Sequence, residues 1–180
     1  MKKAVAGQQG FTLIEMMVAC VVLTIGIVGL MALFAVAAIQ NTSQGDQSTR
    51  TTEYATDKME QLMALQYGDA TSDTTAVPAC MPPISNSCTG TGLGGVMVAS
   101  ASVGGLNTAS PTAGYVDYVT RDGTPTTSST NAAYIRQWQI ATDSNTPPQI
   151  KTITVKVTAL TKVGKSSIPS TTLVCQKANY

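Results

Sequence analysis

The sequence predicts an α+β protein: one long N-terminal helix packed on a C-terminal antiparallel β-sheet. Three observations carry this. Met16 to Ile39 holds no charged residue and is dominated by Val, Leu, Ile, Ala and Met. No proline falls between Phe11 and Val77, so nothing breaks a helix begun there. From Gly114 onward, apolar and polar residues alternate with the two-residue period of strands.

The apolar run is 24 residues long. At a rise of about 1.5 Å per residue it covers about 36 Å as a helix. A bilayer core needs about 30 Å, so the run can span one. Lys2 and Lys3 precede it. Positive charge stays on the cytoplasmic side, which puts everything after residue 40 outside. Three plainer readings compete: a cleaved signal peptide with Ala35-Val36-Ala37 as its cleavage site, a simple anchor, and a buried core helix. The run is longer than the roughly 7–15 residues of a signal-peptide core. The Lys pair and the length speak against a core helix.

Glu15 stands one residue before the run. A carboxylate costs about 2.5–3.5 kcal/mol at the centre of a helix in lipid and less near the interface, so it needs a partner. Cutting the chain after Gly10 creates one: the free amine of Phe11, four residues before Glu15. That amine can be neutralised by Glu15 of the same chain or of a neighbour.

Gly10, then Phe11-Thr12-Leu13-Ile14-Glu15, then an apolar run, all behind a short Lys-bearing leader, resembles the class III signal of type IV pilins and type II secretion pseudopilins. The resemblance implies that a prepilin peptidase cuts after Gly10 and methylates Phe11, and that Glu15 sets subunit register. Met17 to Leu30 further resembles the PilV-like minor pilins (pilus modification proteins) and, more loosely, the I-type pseudopilins. Many major pilins carry a proline in mid-helix, and this chain has none there. That points to a minor pilin or a pseudopilin. Gly26 and Gly29, three apart on one helical face, read as a helix-packing surface, with local softening as a secondary effect.

The helix pattern continues past the span. Asp46 and Arg50 form an i,i+4 pair, and Ala55, Met59, Leu62 and Met63 form an apolar stripe. Gly68 is the expected stop, as a left-handed cap. The chain thus divides into a leader at 1–10, a membrane-spanning or filament-core helix at 11–40 and its amphipathic continuation at 41–68. A Gly/Ser/Thr-rich connection at 69–113 and a sheet-bearing head at 114–180 follow. Helix is expected from Thr12 to Tyr67.

The connection carries one candidate strand, Val96 to Val103. It also holds Cys80 and Cys88, whose short spacing favours a disulfide in an exported protein. Cys175 is the odd cysteine; it captures one of that pair or stays buried and reduced. Cys20 reads as a small hydrophobe. Gly90-Thr91-Gly92 with Gly95 matches a dinucleotide-binding GxGxxG in letters only, since no apolar strand precedes it.

In the head, Gly114 to Thr120 reads as a strand and Arg121-Asp122-Gly123-Thr124 as a turn. In the strand Tyr134 to Ala141, Tyr134, Arg136, Trp138 and Ile140 share one face, and Ile135, Gln137 and Gln139 share the other. Two readings of Arg136 stand: stacked on an aromatic neighbour, or part of an exposed mixed face. Ile150 to Leu160 is the clearest strand, with Ile153, Val155, Val157 and Ala159 inward and Thr152, Thr154, Lys156 and Thr158 outward. Gly164 turns it, and Thr171 to Gln176 closes the sheet. The Tyr-x-Arg-x-Trp strand followed by the Lys-x-Ile-x-Val-x-Val strand again resembles the PilV-like head.

Composition narrows the function. Histidine is absent, which removes the usual general base and the commonest metal ligand. The cysteines lack zinc-like spacing. An enzyme would need carboxylate, lysine or tyrosine chemistry; the expectation is a non-enzyme with no metal, cofactor or catalytic residue. Net charge is +1, which gives no global pull towards nucleic acid. A nucleic-acid surface on Lys151, Lys156, Lys162 and Lys165 lacks interleaved aromatics. Residues 41–120 hold two basic and seven acidic residues, and 121–180 hold seven basic and two acidic. Internal pairing or complementary docking of subunits follows from that split.

Three functions remain: a minor pilin that initiates a type IV pilus or forms its tip, a type II secretion pseudopilin, and an adhesin head on a pilin stalk. Their partners are the prepilin peptidase, other minor pilins, the major pilin, the inner-membrane assembly platform and the membrane itself. The expected place is the bacterial inner membrane with the head in the periplasm, and later the pilus surface.

Overall fold

The computed structural model describes residues 10–81, 88–161 and 168–179. The leader lysines Lys2 and Lys3, the turn at Gly164, and Lys162 and Lys165 lie outside the described residues. The chain forms two compact units, Met1–Thr42 and Ser43–Tyr180.

Helix α1 runs from Leu13 to Ala64. Several of its threonines satisfy their hydroxyls on the helix backbone. The Thr24 hydroxyl, in the middle of the apolar run, donates to the Val21 carbonyl at 2.8 Å. Thr49 and Thr56 do the same one turn back. The Asp46–Arg50 pair forms at 3.1 Å.

The helix ends three residues before the expected Tyr67, and Gly68 does not adopt a left-handed conformation. The expected glycine cap is therefore wrong. Lysines from the sheet supply what a cap would. Lys177 Nζ donates to the Met63 carbonyl at 2.7 Å, and Lys151 Nζ donates to the Tyr67 carbonyl at 2.6 Å. Cations at that end also meet the negative pole of the helix dipole.

The six-stranded sheet comprises β1 (Ser102–Gly104), β2 (Val116–Val119), β3 (Pro125–Thr126), β4 (Tyr134–Thr142), β5 (Ile150–Ala159) and β6 (Ser170–Ala178). Its order is β3-β2-β4-β5-β6, every pairing is antiparallel, and β1 lies beside the C-terminal half of β4. β5 alternates as predicted, with Ile153, Val155 and Val157 fully buried. These residues, with Trp138 and Ile140 of β4, form one core with Tyr54, Ala55, Met59 and Leu62 of the helix. Tyr54 meets Tyr134 edge to face, ring centroids 5.1 Å apart.

The candidate strand Val96 to Val103 shrinks to Ser102–Gly104. Ser100 takes a positive φ of 56°, which breaks an extended run, and Val96 and Val98 stay exposed. The glycines of the connection have a packing role. Asp69 and Asp73 each turn the chain by accepting two backbone N–H groups. A Cβ on Gly90 would sit 2.2 Å from the Ser72 carbonyl oxygen, and Gly92 sits at φ +48° against Asp69. The GxGxxG letters fit the chain around that double turn.

Neither reading of Arg136 holds. It is buried, and its Nε and Nη2 donate to the two carboxylate oxygens of Asp117 at 2.7 and 2.8 Å. Lys58 Nζ lies 2.7 Å from the same carboxylate and 4.2 Å from the centroid of the Trp138 ring. One carboxylate on β2 thus binds a cation from the helix and another from β4. Lys151 is no surface cation either: it is fully buried, with three carbonyls around its Nζ, those of Tyr67, Leu93 and Gly95. The outer face of β4 is covered too. Gln137 donates to the Asn107 carbonyl at 2.9 Å and accepts from the Thr108 hydroxyl.

Burial pulls the Lys58 ammonium down to about 8, against the opposing pull of Asp117. Burial lowers Lys151 as well. A lysine depressed in the folded state takes up fewer protons there than when unfolded, so stability rises with pH between about 8 and 10. Lys58→Met is expected to flatten that rise without abolishing the Lys151 part. Asp117→Ala strands two buried cations and is expected to cost about 3–5 kcal/mol. Lys58→Met is expected to cost less, because Arg136 still neutralises Asp117. Urea unfolding of the full chain in detergent, followed through the single tryptophan Trp138, measures both.

Candidate functional site

The candidate site is the start of the helix. Gly10, Phe11 and Thr12 precede it in non-helical conformation, and all three are exposed. The Thr12 carbonyl accepts from the N–H of Glu15 at 3.1 Å and of Met16 at 3.2 Å, so Thr12 is where helical bonding begins. The order Thr12-Leu13-Ile14-Glu15 is that of a capping box, and it places Glu15 in the first turn at the positive end of the helix dipole. The Gly10–Phe11 bond therefore lies outside the helix and is exposed.

A Cβ on Gly10 would meet nothing within 4 Å. The fold itself does not require glycine there. The same holds at Gly26 and Gly29 on the apolar helix. No described cation lies within ion-pair distance of Glu15. In the uncut chain the nitrogen of Phe11 is an amide, so the amine that would pair with Glu15 does not exist.

Every residue from 10 to 42 is exposed. The helix is long and apolar enough to cross a membrane, and none of its most apolar window is buried. Thr24 is satisfied internally, so the run brings no unpaired hydroxyl into lipid.

Cys80 and Cys88 are joined, with Cα atoms 5.6 Å apart. Residues 82–87 of the loop they close lie outside the described residues. Paired backbone bonds between Asp73 and Cys80, at 2.8 and 2.9 Å, hold the near end of that loop. Cys175 is free and half-buried beside the core, and Cys20 is free and exposed. Among the described residues no cluster of Cys, Asp or Glu could hold a metal ion.

Residues 6–39 match the family model described as the prokaryotic N-terminal methylation motif. The chain carries a pilin-like prepilin signal. The match takes in residues 6–10 of the expected leader, the Gly10–Phe11 bond, Glu15 and the apolar run, and it stops short of the head. It supports the pilin and pseudopilin class. No curated protein and no solved structure gives a significant match to the chain.

The sequence reading found the residues of the methylation motif and missed the charged residues that hold the head on its helix. A signal was present for Lys58: it sits four residues from both Tyr54 and Leu62, on the buried stripe. Nothing local marked Asp117 as its partner, 59 residues on.

The disulfide closes a loop with a sequence separation of 8. Chain entropy assigns a loop of that size about 2.6 kcal/mol. Cys88→Ser is expected to destabilise the full chain by about that amount, with the midpoint of urea unfolding as the measurement. A shift below about 0.5 kcal/mol would show that the cross-link adds little to the stability of the head.

Proposed function

We propose that the chain is a minor pilin of a type IV pilus, a non-enzymatic subunit that helps to start the filament or forms its tip. The observation that carries this reading is the methylation motif, lying across an exposed Gly10–Phe11 bond ahead of an apolar helix that the chain leaves uncovered. The unbroken helix from Leu13 to Ala64, without the mid-helix proline of many major pilins, supports a minor subunit. The Tyr134-Arg136-Trp138 strand and its neighbour β5 support a PilV-like head.

The mechanism follows from the site. The leader lysines keep the N-terminus in the cytoplasm, and residues 11–40 hold the chain in the inner membrane with its head in the periplasm. Prepilin peptidase cuts after Gly10 and methylates Phe11. The new amine and the Glu15 carboxylate form an ion pair that lowers the cost of carrying either charge into an apolar filament core. Assembly exchanges lipid for helices of the major pilin and other minor pilins at the assembly platform. Gly26 and Gly29 give one face of the helix a flat stretch where another backbone can approach.

Mass spectrometry of the mature chain is expected to find methylated Phe11 at its N-terminus. A start at Ala38 would make the segment an ordinary signal peptide, and an intact Met1 would make it a plain anchor. Glu15→Ala is expected to leave cleavage intact and to lower incorporation into surface filaments at least tenfold, roughly the 1.4 kcal/mol that a tenfold ratio represents. Deleting the chain is expected to reduce piliation and to spare protein secretion; the reverse pattern would make it a pseudopilin.

A further inference from the structure

Beside the buried ion cluster the head opens into a groove of about 320 Å³. Asp57 and Gln61 of the helix form one side, the segment 74–79 a second, and Pro125 with Thr126 of β3 a third. Asp117 and Arg136, both buried, lie at its base. All of these residues belong to the unit Ser43–Tyr180.

Arg136 is only 7% exposed, yet its donors are not all used. Nε and Nη2 donate to Asp117. Nη1 has no hydrogen-bond partner among the described residues. It is also not one of the sealed polar atoms without a partner, which are Gln47 Oε1, Trp138 Nε1 and Thr158 Oγ1. A buried guanidinium thus presents its free end to the groove.

Charge at the base is uneven. Lys58 and Arg136 share the single carboxylate of Asp117. The Lys58 ammonium is fully engaged, by Asp117, by Gln61 Oε1 at 2.9 Å and by the Thr74 carbonyl at 2.5 Å. Asp73, the next carboxylate, accepts from the N–H groups of Thr75 and Ala76 and from the Thr75 hydroxyl. It is committed to the turn that builds the groove wall. Two cations on one carboxylate leave one positive charge in excess, and Arg136 is the member with donors still open. Asp57 stands at the rim, exposed, where water and salt screen it.

We propose that this groove binds a small organic acid, its carboxylate seated on the free end of Arg136 and a short aliphatic body lying along residues 76–79 and Pro125. The proposal is independent of the pilin reading. The N–H groups left over on the guanidinium form a fork that matches the two oxygens of a carboxylate. Ala76, Val77, Pro78 and Pro125 offer the rest of the ligand an apolar wall. The volume is larger than a bare carboxylate needs and falls within the roughly 300–1,000 Å³ of small-molecule sites.

The test uses the full chain in detergent, with 3-methylbutanoate and its isosteric amide, 3-methylbutanamide, as probes and calorimetry as the readout. The acid is expected to bind with a Kd below about 1 mM and about tenfold more tightly than the amide. Asp57→Asn removes the screened opposing charge and is expected to tighten the acid about twofold while leaving the amide unchanged. Arg136→Lys keeps a cation for Asp117 and removes the open fork, so binding is expected to be lost. Ala76→Leu narrows the groove without touching the ion cluster. It is expected to weaken the acid about fivefold or more while the urea midpoint stays at the wild-type value, which keeps the test decisive should Arg136→Lys fail to fold. A Kd for the acid above about 10 mM overturns the proposal. Equal affinity for acid and amide overturns it in favour of a neutral acceptor. Weaker binding of the acid by Asp57→Asn overturns it too, because Asp57 would then be a partner of the ligand. Undiminished binding by folded Ala76→Leu places the acid elsewhere and overturns the choice of groove.

Discussion

Between Phe11 and Ile39, eighteen large apolar side chains are exposed. At about 1.5–3 kcal/mol for each such side chain left in water, the total runs to several tens of kcal/mol. A domain of this size has a net stability of about 5–15 kcal/mol. Covering the stretch is thus worth more than the whole net stability of such a domain. The stretch is consistent with membrane anchoring, and its internal chemistry fits an apolar surrounding. Its backbone bonds are helical, its Thr24 hydroxyl is satisfied on the preceding turn, and its ionisable group, Glu15, sits at the very end.

The rest of the chain has to hold the second part of that helix without any contribution from the first. An apolar stripe of Ala55, Met59 and Leu62 supplies attraction, but attraction of that kind is non-directional. Direction comes from polar contacts spaced along the helix and the residues just after it. Thr51 bonds to Thr171, Lys58 to Asp117, the Met63 carbonyl to Lys177 and the Tyr67 carbonyl to Lys151. Sliding the helix along the sheet would break all four together. Burying Lys58 and Lys151 is expensive in desolvation, as their lowered pKa values record. That expense is consistent with charges that serve alignment rather than raw stability.

The helix, β4, β5 and β6 could be read from the sequence because each follows a local period. Gly10, Phe11 and Glu15 could be read because the methylation motif is a contiguous stretch of sequence, which needs no distant partner to be recognised. The disulfide was accessible from spacing. What could not be read depends on pairs distant in sequence. Arg136 alternates with apolar residues, and only the register of β2 against β4 sets Asp117 opposite it. Lys151 reads as a strand-end surface lysine until the carbonyls of Leu93 and Gly95 arrive from the connection. Gly68 looked like a cap because glycine is the common local solution, whereas here two lysines from the sheet provide a non-local one.

The glycines separate constraints that arise inside the chain from those imposed on it. Gly90 and Gly92 have backbone or side-chain atoms within about 2.3 Å of where a Cβ would stand, so the fold forbids any larger residue. Gly10, Gly26 and Gly29 have open space around them. Open space alone proves little, since Gly45 and Gly68 have it as well. The first three differ in lying within the stretch 6–39 that matches the methylation motif. In a helix interior glycine costs about 1 kcal/mol relative to alanine, and at Gly26 and Gly29 nothing within the chain returns it. A residue that is locally unfavourable and internally unnecessary is explained by what docks there. On the proposed pilin reading, that is a processing enzyme for Gly10 and a packed neighbouring helix for Gly26 and Gly29.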